Sequence, residues 1–278
     1  MMRSMFSGVS GLKNHQTAMD VIGNNVANVN TAAYKASKVV FQDIVSQTVS
    51  EATAATANVG GQNSKQIGLG MSIAGISKDM TEGSTQSTDD PLDFAIHGEG
   101  YFVVKTGNDI TYTRSGSLKV DNEGNLVTQN GAYVLGVTDS TQTGKITNES
   151  DVKEIQIDRG TYSDYAIDSN GIISATKRSD GSTDKIGRIV LATFNNPAGL
   201  DSAGNSTYAV SNNSGSATYY CVNDSGVGSI ESGQLEMSNV SLASELTNMI
   251  IIQRGFQANS RVIMTSDTMQ EELVNLKR

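Results

Sequence analysis

Met5, Val9, Leu12, Gln16, Met19, Gly23 and Val26 follow one another in alternating steps of four and three, the spacing of a coiled-coil seam. Five of these seven are apolar, and Ile22 flanks them, so the segment predicts an amphipathic helix. Asn24, Asn25, Asn28 and Asn30 close the run; asparagine competes for backbone hydrogen bonds, which predicts fraying near residues 28–30. The same rhythm returns near the other end at Leu242, Leu246, Met249, Gln253, Phe256, Ser260 and Ile263. Ile250, Ile252, Met264, Met269, Leu273 and Leu276 broaden its apolar face. Ser238 or Ser241 can cap this second long helix, Glu245 suits its first turn, and Gly255 weakens it by about 1 kcal/mol relative to Ala.

Between the helices the period drops to two. Short runs of β-branched and aromatic residues predict strands over 101–105, 110–114, 117–120, 125–128, 132–137, 155–158, 171–175, 188–194 and 218–222. Turn signals separate them at residues 121–124, 130–131, 168–171 and 180–181, with a further Asp-x-x-Gly corner at Asp201 to Gly204. Gly and Asn there supply the positive φ of tight hairpins. Residues 46–66 are Ser, Thr, Ala, Asn, Gly and Gln with little pattern and read as an extended linker. The expected fold is therefore α+β. Its terminal α-helical coiled-coil domain comprises 1–30 and 236–278, a connecting region runs over 31–90, and an all-β domain over 91–235.

Charge sharpens this partition. The net charge of −9 divides into +1 over residues 1–30, −1 over 236–278 and −9 over the middle, so the ends are nearly neutral and the middle carries the repulsion. No basic stripe gathers Lys and Arg, which disfavours nucleic-acid binding. No apolar run is long enough to span a bilayer, so membrane insertion is not expected. Residues 1–21 lack the continuous apolar stretch of a cleaved signal peptide, so any export uses another route.

Candidate chemistry is sparse. His15 and His97, the only histidines, have no partner at informative spacing, and each reads as an ordinary histidine, the second in a turn. Gly68, Gly70 and Gly75 match neither phosphate-loop spacing and read as turn glycines. Asp89, Asp90 and Asp93 around Pro91 lack the alternating ligands of a calcium loop and read as a solvated turn. Cys221, the single cysteine, cannot form an intrachain disulfide and reads as a small apolar filler. No catalytic residue, metal ligand or cofactor is expected. The two helices remain, and they allow either an ordinary intramolecular pair or a pair with a second apolar face left for other subunits, a contact that builds a helical filament when it does not close.

Two phrases carry a resemblance: residues 7–12 (Ser-Gly-Val-Ser-Gly-Leu) and residues 19–31 (Met-Asp-Val-Ile-Gly-Asn-Asn-Val-Ala-Asn-Val-Asn-Thr) resemble the N-terminal signature of flagellar rod and hook proteins. Residues 235–240 and 252–260 are similar to the C-terminal signature, and residues 66–70, 83–86 and 91–102 to the segment leading into the β domain. The resemblance covers about 1–135 and 229–278. It implies a homopolymeric helical tube, with Met5, Val9, Leu12, Met19, Ile22, Val26, Leu242, Leu246, Met249, Ile252, Phe256, Ile263, Leu273 and Leu276 as the self-assembly positions. Asn24, Asn25 and Asn28 belong to the motif and either contact neighbours or cap the helix. Residues 235–240 and the ending 271–278 look like short hook proteins, so the expectation is an extracellular, flexible hook that passes motor torque to the filament. Its implied partners are the rod, hook cap, hook–filament junction and type III export apparatus. The distal rod, a rigid drive shaft of the basal body, is the alternative within the family. A secreted adhesin or β-domain hydrolase is the alternative from another class.

Overall fold

The protein was described from a computed structural model covering residues 2–55, 60–139, 142, 144–146, 152–158, 160–224 and 226–276. The chain divides into two compact units, one of residues 1–27, 37–79 and 241–278, the other of 28–36 and 80–240. Residues 56–59 of the expected linker, and Lys277 and Arg278 of the resembling C-terminal phrase, lie outside the described residues.

The first unit holds two helices, α1 (Met2–Ala27) and α2 (Leu242–Leu276). They run antiparallel: Ser4 Oγ lies 3.4 Å from Ser266 Oγ, while Gly8 faces Ile263, Gly11 faces Asn259 and Gly255 faces His15. Among the described residues neither Ser238 nor Ser241 bonds through its side chain to the first turn of α2: Ser238 Oγ accepts from Val240 N–H, 3.3 Å, ahead of the helix, and Glu245 N–H donates to the Ser241 carbonyl, 2.9 Å, as the first helical bond.

The expected linker is a ribbon. Strand Ser37–Asp43 pairs antiparallel with Met71–Lys78, with a bulge at Val40 and Phe41, and Gln47–Ser50 pairs with Lys65–Ile67. An isolated bridge between Thr53 and Gln62 extends the pairing toward the tip. Gly75 lies inside a strand rather than in a turn. Asn14 Nδ2 on α1 donates to the Met71 carbonyl, 2.5 Å, and ties α1 to the ribbon at the outer end of its first ladder, where Met71 pairs with Asp43. Both strands of the outer ribbon segment are exposed throughout, which is why no inward-outward alternation marks them in the sequence.

The second unit is built on antiparallel strands, thirteen of which form one sheet among the described residues. Its central strands are buried on both faces. Along Tyr101–Thr106, Phe102 and Val104 enter one core while Tyr101 and Val103 enter another. Along Thr183–Thr193, Ile189 and Leu191 take the first side and Val190 and Ala192 the second. Burial on both faces puts apolar residues at successive positions, so the short runs of β-branched and aromatic residues mark these strands, and the expected period of two does not hold along them. The turns at Gly124, Gly131, Gly171 and Gly181 all have positive φ, as their sequence signals require.

Four expectations need correction. Asp201–Gly204 is itself a strand, paired with Thr207–Ala209, and the corner starts only at its last residue, Gly204, and runs on over Asn205 and Ser206, all three at positive φ. Residues 155–158 contribute an isolated bridge at Gln156 beside the short strand Lys153–Glu154, because Ile155 and Ile157 are taken into the core by loop bonds to Leu126 and Gly124. His97 ends strand Phe94–His97 and lies 3.2 Å from Glu231 across the pair with Ser229–Ser232, not in a turn. Asp93 is buried, its carbonyl accepting from Gly233 N–H at 2.8 Å, whereas its neighbour Asp90 caps the turn through Leu92 N–H, 3.0 Å.

Candidate assembly surface

The helix pair meets along Ser4, Gly8, Gly11, His15, Ala18 and Ile22, six positions in steps of four and three. The rhythm is the expected one, displaced by one residue toward the N-terminus. Small residues explain the displacement. A Cβ built on Gly11 would stand 2.5 Å from Asn259 Nδ2, and one on Gly255 2.9 Å from His15 Nε2, so the two backbones approach closest where no side chain intervenes.

The heptad residues therefore lie beside the seam. On α1, Ile22 is buried, and Met5, Leu12, Met19 and Val26 are half-buried, while Val9 is exposed. On α2, Met249, Ile252 and Ile263 are half-buried against α1, whereas Leu242, Leu246, Phe256, Leu273 and Leu276 are exposed, the last at 82%. Phe6, Ile250, Ile251, Met264 and Val274 add to the uncovered apolar surface, with Ile251 at 63% and Phe6 at 65% exposure. α2 also continues past the start of α1: Ser266 is level with Ser4, and the Gln270 side chain reaches back to Met5 Sδ, 3.8 Å, so Leu273, Val274 and Leu276 have no α1 residue opposite them. Apolar faces of this extent on a polar protein mark surfaces that associate.

His15 sits in the seam with its ring edge-on to Phe41, centroids 5.8 Å apart. Its Nδ1 is buried and, among the described residues, without a hydrogen-bond partner; burial holds its pKa below the ordinary 6.5. Asn25 neither caps the helix nor faces outward. Its Nδ2 donates to Ser37 O, 2.9 Å, and its Oδ1 accepts from Ser37 N–H, 3.0 Å, a two-bond clamp from α1 to the first ribbon strand. Asn24 is exposed, and Asn28 Oδ1 accepts from Thr31 Oγ1, 3.1 Å, closing the turn after the helix.

A second constellation, in the β-rich unit, involves residues not singled out in the sequence. Lys35 Nζ lies 2.5 Å from Glu236 Oε1, and both side chains are almost fully buried. Arg114 Nη1 donates to Glu236 Oε2, 3.3 Å, its Nη2 donates to Gly98 O, 2.6 Å, and its guanidinium lies 5.4 Å from the centroid of the Tyr101 ring. Burial pulls the Lys35 pKa down, and the Glu236 charge acts against that pull. Lysine and glutamate in a polar sequence read as solvated residues, so only their three-dimensional convergence identifies them. Cys221 is buried with its Sγ 3.3 Å from the Gln142 carbonyl, and burial raises its pKa. Among the described residues no three His, Cys, Asp or Glu side chains are placed to hold a metal ion, and no helix is long and apolar enough to cross a membrane.

Three family models match the chain: flagella basal body rod protein over residues 5–35, flagellar hook protein FlgE/F/G D1 domain over 95–175, and flagellar basal body rod FlgEFG protein C-terminal over 231–276. The chain is 47% identical over 281 positions to the flagellar basal-body rod protein FlgG of Bacillus subtilis, with 100% of each chain covered. It is 34% identical over 280 positions to the protein of the same name from Borreliella burgdorferi, again covering 100% of both. With the flagellar hook protein FlgE of that organism it shares 29% identity over 442 positions, 100% of each chain being covered.

Proposed function

From the premise that this chain belongs to the family of flagellar basal-body rod and hook proteins, a structural component of the flagellum, we propose that it is a subunit of the rod. One observation carries the choice of rod over hook. The B. subtilis rod protein aligns with this 278-residue chain over 281 positions at 47% identity, while the hook relative needs 442 positions and falls to 29%. A hook protein of that kind carries inserted length that this chain does not have.

The subunit works by self-association and carries out no catalysis. α1 and α2 satisfy one seam with each other and leave Val9, Leu246, Phe256, Leu273 and Leu276 uncovered, so each helix pair offers apolar faces to further copies. The outer ribbon pair, Gln47–Ser50 with Lys65–Ile67, adds strands exposed throughout, and a two-stranded ribbon of this kind is marginal without a surface to lie on. Neighbouring copies supply that surface. Other axial proteins adjoin the two ends of the stack, and the chain reaches its site outside the cytoplasmic membrane through the flagellar export apparatus.

Electron microscopy of basal bodies from a strain lacking this chain tests the assignment. The rod reading expects shortened rods carrying no hook. Complete rods lacking only the hook would establish the hook reading in its place.

A further inference from the structure

The chain passes between the two units four times, at residues 27/28, 36/37, 79/80 and 240/241, so three pieces of chain end at the border of the β-rich unit: residues 28–36, the piece that starts at Met80 and the piece that finishes at Val240. In the β-rich unit all three ends are stitched to one another. Ala33 N–H donates to Glu236 O, 2.8 Å, and Ala36 N–H to Asn239 Oδ1, 2.8 Å, joining the first end to the third. Asn239 Nδ2 donates to Thr81 O and Oγ1, each 3.2 Å, and Met237 N–H to Ser84 O, 2.9 Å, joining the third to the second. Lys35 Nζ reaches across to Thr81 O, 2.6 Å, joining the first to the second.

Glu236 is the group these ends share. Its Oε1 takes Lys35 from the first end and Gly83 N–H, 3.1 Å, from the second, while its Oε2 takes Arg114 at the edge of the β core. The packing is tight enough that a Cβ on Gly83 would collide with the Met237 carbonyl. Glu82, the second carboxylate near Arg114, is 3.9 Å away and 42% exposed, so it does not replace Glu236. A buried carboxylate bound by two cations and an amide is an uneconomical way to gain stability, since well-packed apolar side chains do as well. Its advantage is directional. It specifies one arrangement of the groups it binds.

We propose that Lys35, Glu236 and Arg114 form a clasp that gathers these three pieces of chain at the border of the β-rich unit into one strut, so that force applied along the chain is shared by all three and delivered to the β core through Arg114. In a polymer this makes Glu236 a determinant of stiffness rather than of assembly. That last step rests on the rod reading; the clasp itself does not.

Hydrogen exchange on the full-length protein tests the clasp. In Glu236→Gln the amides of Ala33, Ala36, Gly83 and Met237 should exchange at least tenfold faster, with those of Phe102, Val104 and Leu191 unchanged. Ile189→Ala, a core truncation remote from the cluster, supplies the comparison, because a general loss of stability accelerates both sets together. Equal acceleration of both sets in Glu236→Gln, or of neither, overturns the proposal. Lys35→Met, which keeps the length of the side chain and removes the charge, provides the same comparison if the glutamine variant does not fold. Where polymers form, Glu236→Gln polymers should match the wild-type yield and show at least a twofold shorter persistence length by electron microscopy. Unchanged stiffness overturns the force-sharing role, whereas wild-type protein that forms no polymer under any condition overturns the rod reading and leaves the clasp to be decided by exchange.

Discussion

Two helical glycines that look alike in the sequence should respond in opposite directions to the same substitution. Replacing an interior helical glycine by alanine gains about 1 kcal/mol of intrinsic helix stability. At Gly23 a Cβ would meet nothing within 4 Å, so Gly23→Ala should show the whole gain. At Gly255 the added carbon would stand 2.9 Å from Nε2, 3.1 Å from Cε1 and 3.4 Å from Cδ2 of His15. The imidazole has little room to retreat, since its other side meets Phe41 and its Nδ1 is already buried. Overpacking of this kind costs about 1–3 kcal/mol, which leaves Gly255→Ala between neutral and about 2 kcal/mol destabilising, and separates the two variants by about 1–3 kcal/mol. Urea unfolding followed by far-ultraviolet circular dichroism measures both, provided the slopes stay equal. A double-mutant cycle with His15→Ala isolates the clash: removing the ring should return most of the alanine gain at position 255. If Gly255→Ala stabilises as much as Gly23→Ala, the helices do not meet along the seam described above, and the assignment of Met5, Val9 and Leu12 to its flank falls with it.

Leu246→Asp, at an exposed position of α2, should leave the secondary structure and melting of the monomer within about 0.5 kcal/mol of wild type while abolishing sedimentable polymer; polymer at wild-type yield would refute the assembly role of that face. Asn25→Ala strips two hydrogen bonds from the Ser37 backbone and should destabilise the helical unit by about 1–3 kcal/mol in the same urea titration. His15 should make that unit acid-sensitive. Its folded pKa lies below the 6.5 of the unfolded chain, so the unfolded state takes up the proton first; the stability is complete above pH 6.5 and is lost as pH falls through the lowered folded value. His15→Leu should flatten the profile over that window, and an unchanged slope would show that another group carries it.

The helices, the β middle and most of its turns were legible because each depends on local periodicity or on a glycine that a turn demands. Strands such as Tyr101–Thr106 and the buried half of Thr183–Thr193, from Arg188 onward, announced themselves by burying both faces, whereas residues 183–186, exposed or half-buried, did not. The ribbon did not, since Gln47–Ser50 and Lys65–Ile67 bury neither face and so carry no hydrophobic period to read. Asp201–Gly204 was misread in its extent: Gly204 does take the positive φ its signal predicts, but Asp201 and Ser202 pair as strand, and the corner runs on over Asn205 and Ser206, also at positive φ. Lys35, Arg114 and Glu236 escaped for the converse reason: the rule that charges lie outside is broken only where partners arrive from distant segments, and one sequence does not show which segments converge.

The displaced seam has the most consequence for function. Hydropathy ranks Met5, Val9, Leu12 and Met19 as the positions that should be covered, and a helix pair held together by apolar burial alone would face them inward. Shape decides otherwise, because Gly8, Gly11 and Gly255 let the backbones approach along a strip of small and polar residues. The large apolar side chains are left on either side of that strip, on one pair of helices rather than between them. A chain that closes its internal contact largely through small residues leaves Val9, Leu246 and Phe256 uncovered, and that division suits the self-association proposed above: a seam specific enough to fold the monomer, and a flank apolar enough to join it to a further copy.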